Sequence, residues 1–350
     1  MKIIAITGCR SEFDIISNVI ESLIKRKHDV KLIISGSHLS DWHGKTFKEI
    51  KKKKFKILKK IFSDFGTDNN SKRTRAISEL INGITKCIEK EKPDLIIYAG
   101  DREEGIATAI SCNYMNVLFA HIAGGDPVWG NADDPIRFAI SKLAHIHFTF
   151  AKKYSENLIG LGEEKFRICN SGNPSLDNIR KTKKISLELL RKKLKRNISC
   201  KYIVLIKHPL SSEKNKALEQ MKVTLSALRK FSNKTDINII IIYPNTDPGS
   251  LKIIQQINRY KYKKLFFIFK NLPHNEFVNL IRMSLALVGN SSMGFLEAPF
   301  YKLPVINVGR RQRGRLNPGN VKFVKYDQNE IINALNKACF DKKYINKIKK

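Results

Sequence analysis

The sequence predicts an α/β protein of two Rossmann-like domains facing a central cleft. Three observations carry this. Short apolar runs alternate with amphipathic segments along nearly the whole chain, the pattern of parallel strands joined by helices. The 350 residues are too many for one average domain and comfortable for two. Polar, glycine-containing segments repeatedly follow the apolar runs, and ligands gather at the carboxyl ends of parallel strands.

The first series opens with Ile3–Thr7, an apolar strand closed by a turn at Gly8. Strands follow over Val30–Ser35, Leu95–Ala99, Val117–Ile122 and His147–Phe150. Helices are expected over Ser11–Lys27, Ser71–Glu91, Glu103–Tyr114, Pro135–Ala144 and Lys152–Leu161. Ser171–Asn178 (SGNPSLDN) carries Gly, Pro and capping residues and reads as a hinge. The domains are therefore expected at residues 1–170 and 171–350. The second series pairs strand Tyr202–Ile206 with helix Lys214–Phe231, and Asn238–Tyr243 with Gly249–Arg259. Strand Leu265–Phe269 precedes helix His274–Arg282, and Leu285–Val288 precedes Gly294–Tyr301. Strand Val305–Val308 and a basic helical tail, Glu330 to Lys350, close the chain.

Composition narrows the function classes. Hydrophobic residues make up 42%, ordinary for a globular protein. No apolar run approaches the roughly 20 residues of a membrane helix. The first ten residues lack the apolar length and cleavage site of a signal peptide, so a cytoplasmic protein is expected. The six cysteines form no C-x-x-C pair and no zinc spacing, so reduced thiols and no metal are expected. The net charge of +33 comes from dispersed lysines without interleaved aromatics for base stacking. A solvated surface, and no nucleic-acid partner, is expected. A positive field still draws an anionic ligand to its cleft.

The most informative stretch is Leu285 to Val321, which reads as strand, Gly-Asn-Ser-Ser turn, helix, strand and arginine-rich loop. Ser291 and Ser292 stand where the helix begins, and free N–H groups at a helix start suit a phosphate. Glu297 follows one and a half turns later, placed to accept hydrogen bonds from a ribose diol. Arg310, Arg311, Arg313 and Arg315 crowd the next loop, and a guanidinium matches phosphate oxygens bidentately. This is the layout of a nucleoside-diphosphate site.

Other strand ends carry polar groups. Arg10 follows Gly8-Cys9, within reach of a phosphate or simply on the surface at a helix start. Asp101 follows Gly100, placed as a general base, as an acceptor from a substrate hydroxyl, or as a helix N-cap. His121 to Asp126 and Asp133 to Arg137 bring an imidazole, three carboxylates and an arginine into one loop-plus-helix segment. Asp133 or Asp134 also suits an N-cap, with Pro135 at the first helical position. His208, held by Pro209 at a strand end, suits a leaving phosphate or acid/base work. Tyr243 to Ser250 is a further turn at a strand end.

Together these segments resemble the hydrolysing UDP-N-acetylglucosamine 2-epimerases of sialic-acid biosynthesis, and relatives that act on UDP-diacetamido sugars. The matching motifs are GDR-x-E at Gly100–Glu104, H-I-x-G-G-D at His121–Asp126 and DD-x-I-R at Asp133–Arg137. G-x-P-S-x-D at Gly172–Asp177, HP at His208–Pro209 and P-N-x-D-x-G-S at Pro244–Ser250 follow. K-N-L-P at Lys270–Pro273, GNSS at Gly289–Ser292 and RQ-x-GR at Arg311–Arg315 complete the series.

The resemblance implies a glycosyltransferase-B type fold, usually dimeric, with UDP held by the second domain. It assigns the diphosphate to Ser291, Ser292, Arg10 and His208, and the ribose to Glu297. Arg311 and Arg315 would serve the phosphates or loop closure. It also implies the reaction: UDP is eliminated across C1–C2 of the sugar, and water adds to the glycal with inverted configuration at C2. Asp101, Asp126 and Asp134 are the candidates for proton transfer, with Arg137 positioning one of them. No cofactor is implied. UDP-N-acetylglucosamine is the first substrate expected, giving free N-acetylmannosamine. A UDP-2,4-diacetamido-trideoxyhexose, or UDP-sugar binding without turnover, are the alternatives. Ala123 stands where many relatives have Glu or His, and Phe138 replaces a histidine usual after the matched arginine.

Overall fold

A computed structural model of the chain describes residues 1–40, 46–63 and 69–349. The chain divides into two compact units. The first comprises Met1–Val128 with Ala132–Arg180, the second Trp129–Asn131 with Lys181–Lys350. The first unit runs past the boundary expected at residue 170. Its last helix, Ser175–Lys181, is tied down by Asn178, whose amide donates to the Asp14 carbonyl (2.6 Å) and the Ser17 hydroxyl (2.9 Å). The expected hinge is therefore partly helix, anchored to the first unit.

The strands of the first unit are β1 (Lys2–Thr7), β2 (Asp29–Ile34), β3 (Lys56–Lys60), β4 (Leu95–Ala99), β5 (Phe119–Ile122), β6 (Ile146–Thr149) and β7 (Ile168–Asn170). They form one parallel sheet in the order β3-β2-β1-β4-β5-β6-β7. The order reverses at β1 and β4, as in doubly wound folds. Successive side chains point to opposite faces. Ile4, Ile6, Ile96 and Tyr98 pack toward helices Asn70–Glu91 and Glu103–Tyr114. Ile3, Ala5, Ile97 and Ala99 pack on the other face with Phe13, Ile16 and Ile20 of helix Arg10–Lys25. Each fully buried Ile contributes roughly 1.5–3 kcal/mol relative to exposure.

The second unit holds β8 (Tyr202–Ile206), β9 (Asn238–Ile242), β10 (Phe266–Phe269), β11 (Leu287–Gly289), β12 (Val305–Val308) and β13 (Val321–Val324). Its parallel order is β10-β9-β8-β11-β12-β13. Every residue of β8 and of β9 is buried, as a parallel strand covered on both faces requires. Leu205, Ile241 and Val288 pack on helices Ala217–Thr235 and Gln328–Phe340. Val204, Ile206 and Ile240 pack on the opposite helices, Leu187–Leu194 and His274–Met283.

Local chemistry shifts some expected elements. The helix expected over Gly294–Tyr301 is a four-residue turn, Met293–Leu296, followed by a 3-10 turn, Ala298–Tyr301. Pro299 lacks the N–H that would continue the α-helical ladder. The helix carrying Arg137 begins at Asp133 with Ala132 at the cap position, so neither Asp133 nor Asp134 caps it through its side chain. Among the described residues no helix is long and apolar enough to cross a membrane.

Candidate active site

In the first unit the ends of β4 and β5 lie side by side in register. Gly100 (φ +118) turns the chain after β4, and its N–H donates to the Ile122 carbonyl at 3.0 Å. Gly125 has φ +75, and a Cβ there would stand 2.2 Å from the Tyr154 carbonyl oxygen, so only glycine fits. The buried His121 pins these ends. Its Nε2 lies 2.7 Å from the Gly100 carbonyl and its Nδ1 3.0 Å from the Ser141 hydroxyl. A carbonyl only accepts, so Nε2 carries the proton and Ser141 donates to Nδ1. Burial pulls the His121 pKa down to about 3, so the ring stays neutral.

Arg137 sits at the centre of the acids, buried on the helix Asp133–Leu143. It donates through Nη2 to the Asp101 carboxylate and through Nη1 to the Ala123 carbonyl at 2.8 Å. Its Nη1 is also 3.6 Å from Asp126. Burial opposes the guanidinium charge, but Asp101 and Asp126 overcome that and raise its pKa. Asp126 is enclosed at 1% side-chain exposure, whereas Asp101 keeps 20%. Asp134 accepts from the Val128 N–H and so ties the loop after β5 to the helix start. Ala123 holds φ +71, a left-handed backbone in which an L-residue is strained.

Beneath the Gly8 turn lies a second acidic group that sequence reasoning missed. Glu12 is buried and accepts from the Gly8 N–H (2.6 Å), the Cys9 N–H (3.3 Å) and the Tyr98 hydroxyl (2.8 Å). Glu104 enters the same space. A Cβ on Gly8 or Gly36 would fall 1.9 or 2.1 Å from its Oε1. Its Oε2 has no hydrogen-bond partner among the described residues. Burial, then the Glu12 charge, pushes the Glu104 pKa up to about 8. Glu104 thus keeps its proton to about 8, while burial also raises the Glu12 pKa against the three donors that favour its carboxylate. Arg10 opens the helix above this group, its Nε 3.5 Å from Asp14. The Glu of GDR-x-E pointed to Glu104, but nothing in sequence places it against Gly8 and Gly36.

In the second unit the Gly289–Ser292 turn is built on Asn290. A Cβ on Gly289 (φ +127) would meet the Ile206 carbonyl oxygen at 1.9 Å. Asn290 accepts from the His208 N–H at 2.7 Å and donates to the His208 carbonyl at 2.9 Å. The Asn245 N–H donates to His208 Nδ1 at 3.0 Å. Gln312 donates to the Asn290 carbonyl at 2.8 Å, and Arg311 pairs with Asp247 at 3.0 Å. Arg311 is 7% exposed and braces the turn from beneath. Ser291 Oγ accepts weakly from the Met293 N–H at 3.4 Å. The four-residue helix has little macrodipole, so any anion preference here rests on N–H groups, hydroxyls and cations. Glu297 follows that helix, half-buried. Arg315 lines a separate cavity of about 860 Å³ with Arg310, Arg313 and Tyr326. His208, Ser291, Ser292, Glu297 and Arg311 thus share one region of the second unit. Asp101, Asp126, Asp134 and Arg137 share one region of the first.

Comparison with known proteins decides the family. The family model described as UDP-N-acetylglucosamine 2-epimerase matches residues 21–350. The chain belongs to the UDP-N-acetylglucosamine 2-epimerase family. A relative from Legionella pneumophila, named UDP-N,N'-diacetylbacillosamine 2-epimerase (hydrolyzing), is 32% identical over 96% of this chain and 88% of its own length. A Campylobacter jejuni relative, GDP/UDP-N,N'-diacetylbacillosamine 2-epimerase (hydrolyzing), is 31% identical over 91% of this chain and 83% of its own. The fold matches a solved UDP-GlcNAc 2-epimerase from Neisseria meningitidis, bound to UDP-GlcNAc, with a TM-score of 0.83. That match spans 99% of this chain and 94% of the other at 20% identity. The UDP-N-acetylglucosamine 2-epimerase family therefore supplies both the fold and the coarse chemistry, acting on UDP-linked sugars.

Proposed function

We propose that this chain is a hydrolysing 2-epimerase of a UDP-linked 2-acetamido sugar, releasing UDP and the free epimerised sugar for nonulosonic-acid synthesis. The observation that carries this reading is the Asp101–Arg137–Asp126 group at the carboxyl ends of β4 and β5. The C2 proton of the sugar is a weak acid, and its removal needs a positioned carboxylate. Asp101 is the partly exposed carboxylate of the group, and Arg137 holds it in place. Asp126 neutralises Arg137 from the buried side.

In the elimination, Asp101 takes the C2 proton and the C–H electron pair forms the C1=C2 bond. The C1–O bond breaks, and its electron pair leaves on the diphosphate. His208, Ser291, Ser292 and Arg10 are the groups proposed to hold that charge, with Glu297 on the ribose and Arg311 and Arg315 serving the phosphates or loop closure. Hydroxide from water then bonds C1, and a proton returns to C2 on the opposite face. Asp134 is the candidate for that second transfer. The sum is UDP-sugar plus water giving UDP plus the 2-epimer.

UDP-N-acetylglucosamine and the 2,4-diacetamido analogue are the two substrates proposed. The names of the relatives at 32% and 31% identity favour the diacetamido sugar. Proton NMR in D2O with each nucleotide sugar tests both. The expected result is free UDP and a sugar epimerised at C2 and deuterated there, faster for one substrate. UDP binding without release from either sugar refutes the enzyme reading, and Ala123 is then the first position to alter.

A further inference from the structure

We propose that Asn290 and the main-chain N–H of Asn245 are positioning groups that lock His208 as an Nε2–H donor. His208 then holds the departing nucleoside diphosphate by a hydrogen bond and transfers no proton. This rests on the proposed reaction, but the lock itself is read from hydrogen bonds.

An amide N–H can only donate. The Asn245 N–H points at His208 Nδ1 at 3.0 Å, so Nδ1 is the acceptor and the ring proton sits on Nε2. The segment that carries the ring is held equally firmly. The buried Asn290 clamps both main-chain polar groups of His208, at 2.7 and 2.9 Å. Asn290 is fixed in turn by its own N–H to the Ile206 carbonyl (3.2 Å) and by Gln312 at its carbonyl. Gln312 is fully buried, so the bracket cannot swing outward. The Asn245 turn is closed by its own side chain, which accepts from the Asp247 N–H at 3.3 Å.

This geometry excludes the base role that a histidine at a strand end suggests. An incoming proton would have to enter at Nδ1 and face the Asn245 N–H, donor against donor. Loss of the Nε2 proton would leave an imidazolate. The group is suited to what a fixed dipole does well, stabilising charge that develops on a leaving oxygen without reorganising. Proton transfer then falls to the carboxylates of the first unit, and the diphosphate leaves as the anion.

The test is histidine 15N NMR on the full-length protein, free and with UDP, with His208→Gln identifying the signal. The expected spectrum shows a protonated Nε2 and an unprotonated Nδ1 in both states, with the Nε2–H shifted by UDP. An Nδ1–H tautomer or an imidazolium in the UDP complex overturns the proposal. His208→Gln places an amide N–H near the Nε2 position but cannot shuttle protons. It is expected to lower kcat by about 10-fold with both limbs of the pH profile kept, where His208→Ala loses about 100-fold or more. Equal loss in the two variants, with a limb of the profile gone, overturns it. Asn290→Ala is expected to mix the tautomers of His208 and raise KM; a tautomer unchanged in that variant removes Asn290 from the assignment. If no sugar turns over, the tautomer in the UDP complex still decides the lock, separately from the reaction.

Discussion

The two units build their strand ends from opposite charges. The first gathers acids: Asp101 and Asp126 around Arg137, and Glu12 with Glu104 under the Gly8 turn. The second gathers cations and neutral donors: His208 on its Asn290 bracket, Arg311 on Asp247, and Lys207 buried at the end of β8. Both also bury an ionisable group whose pKa burial drives toward neutrality. Glu104 is pushed up to about 8, and Lys207, 1% exposed and without a hydrogen-bond partner for Nζ among the described residues, is pulled down to about 7 by burial. The Lys207 amine lies 4.9 Å from the Tyr326 ring instead. In the proposed reaction one doubly wound architecture serves two tasks, proton transfer in the first unit and anion holding in the second. What differs is the polar residue placed after each strand.

The sharpest way to break this division is Asp101→Asn. The amide keeps the shape and a contact to Arg137 but cannot accept the C2 proton. UDP release is expected to fall by about 10²–10⁴, while UDP affinity, assigned in the proposed function to the second unit, changes less than threefold. Calorimetry with UDP beside a UDP-release assay reads both. A parallel loss of UDP affinity would show that the division of labour is wrong.

Gly289→Ala is the matching break in the second unit. The new Cβ would stand 1.9 Å from the Ile206 carbonyl oxygen, and the backbone there is in a region reserved for glycine. The strand pair β8–β11 must part, at a cost of about 3 kcal/mol or more. Hydrogen exchange is expected to rise in Tyr202–Ile206 and Leu287–Gly289 and to stay unchanged in β1 and β4. Uniform loss of protection would mean that the units unfold together.

The buried neutral groups predict stability slopes of opposite sign. Glu104 is protonated in the folded chain up to about 8 but ionises near 4.5 when unfolded, so folding takes up a proton between those values. Its contribution is complete below 4.5 and is lost as pH rises to about 8. Lys207 is neutral in the folded chain above about 7 but charged when unfolded up to 10.5, so folding releases a proton. Its contribution is complete above 10.5 and is lost as pH falls through about 7. Glu104→Gln is expected to flatten the fall in stability between pH 5 and 8 expected of the first unit, and Lys207→Met the rise between pH 7 and 10 expected of the second. Urea unfolding across that range, followed by hydrogen exchange in each unit, measures both slopes. Slopes unaltered by either substitution would mean that these groups are ionised in the fold.

Much of this was legible in the sequence because a doubly wound fold repeats one pattern. The central strands are continuous apolar runs, and the polar segments after them carry the motifs. Three strands were not legible. β3 lies in KILKK, where lysines mask the alternation, β7 is three residues long, and β13 has two exposed residues in its middle. Edge strands need little apolar surface and so leave little signal. Residue types at the site were legible, but partners were not. Asn290 reads as a turn residue until its amide is found on His208. Glu104 reads as a helix residue until its carboxyl is found against Gly8 and Gly36. Such roles come from long-range packing, which no local spacing encodes.

The smallest expected effect bears on the first unit's least comfortable residue. Ala123 sits in the left-handed region at φ +71, with its N–H on the Phe148 carbonyl and its carbonyl on Arg137. Those two bonds hold the backbone against the strain, which for an L-residue is about 1 kcal/mol. Ala123→Gly removes the Cβ and the strain, and restores part of the cost through the freer unfolded chain. The net gain is expected to be about 0.5 kcal/mol, a rise of roughly 1–2 °C in Tm for a chain of this size. Since the Arg137 contact is to the main chain, the glycine variant is also expected to keep UDP release within about twofold of the parent. A drop in Tm would mean that the methyl group packs usefully. A large loss of release with Tm raised would mean that the strained alanine itself shapes the sugar pocket.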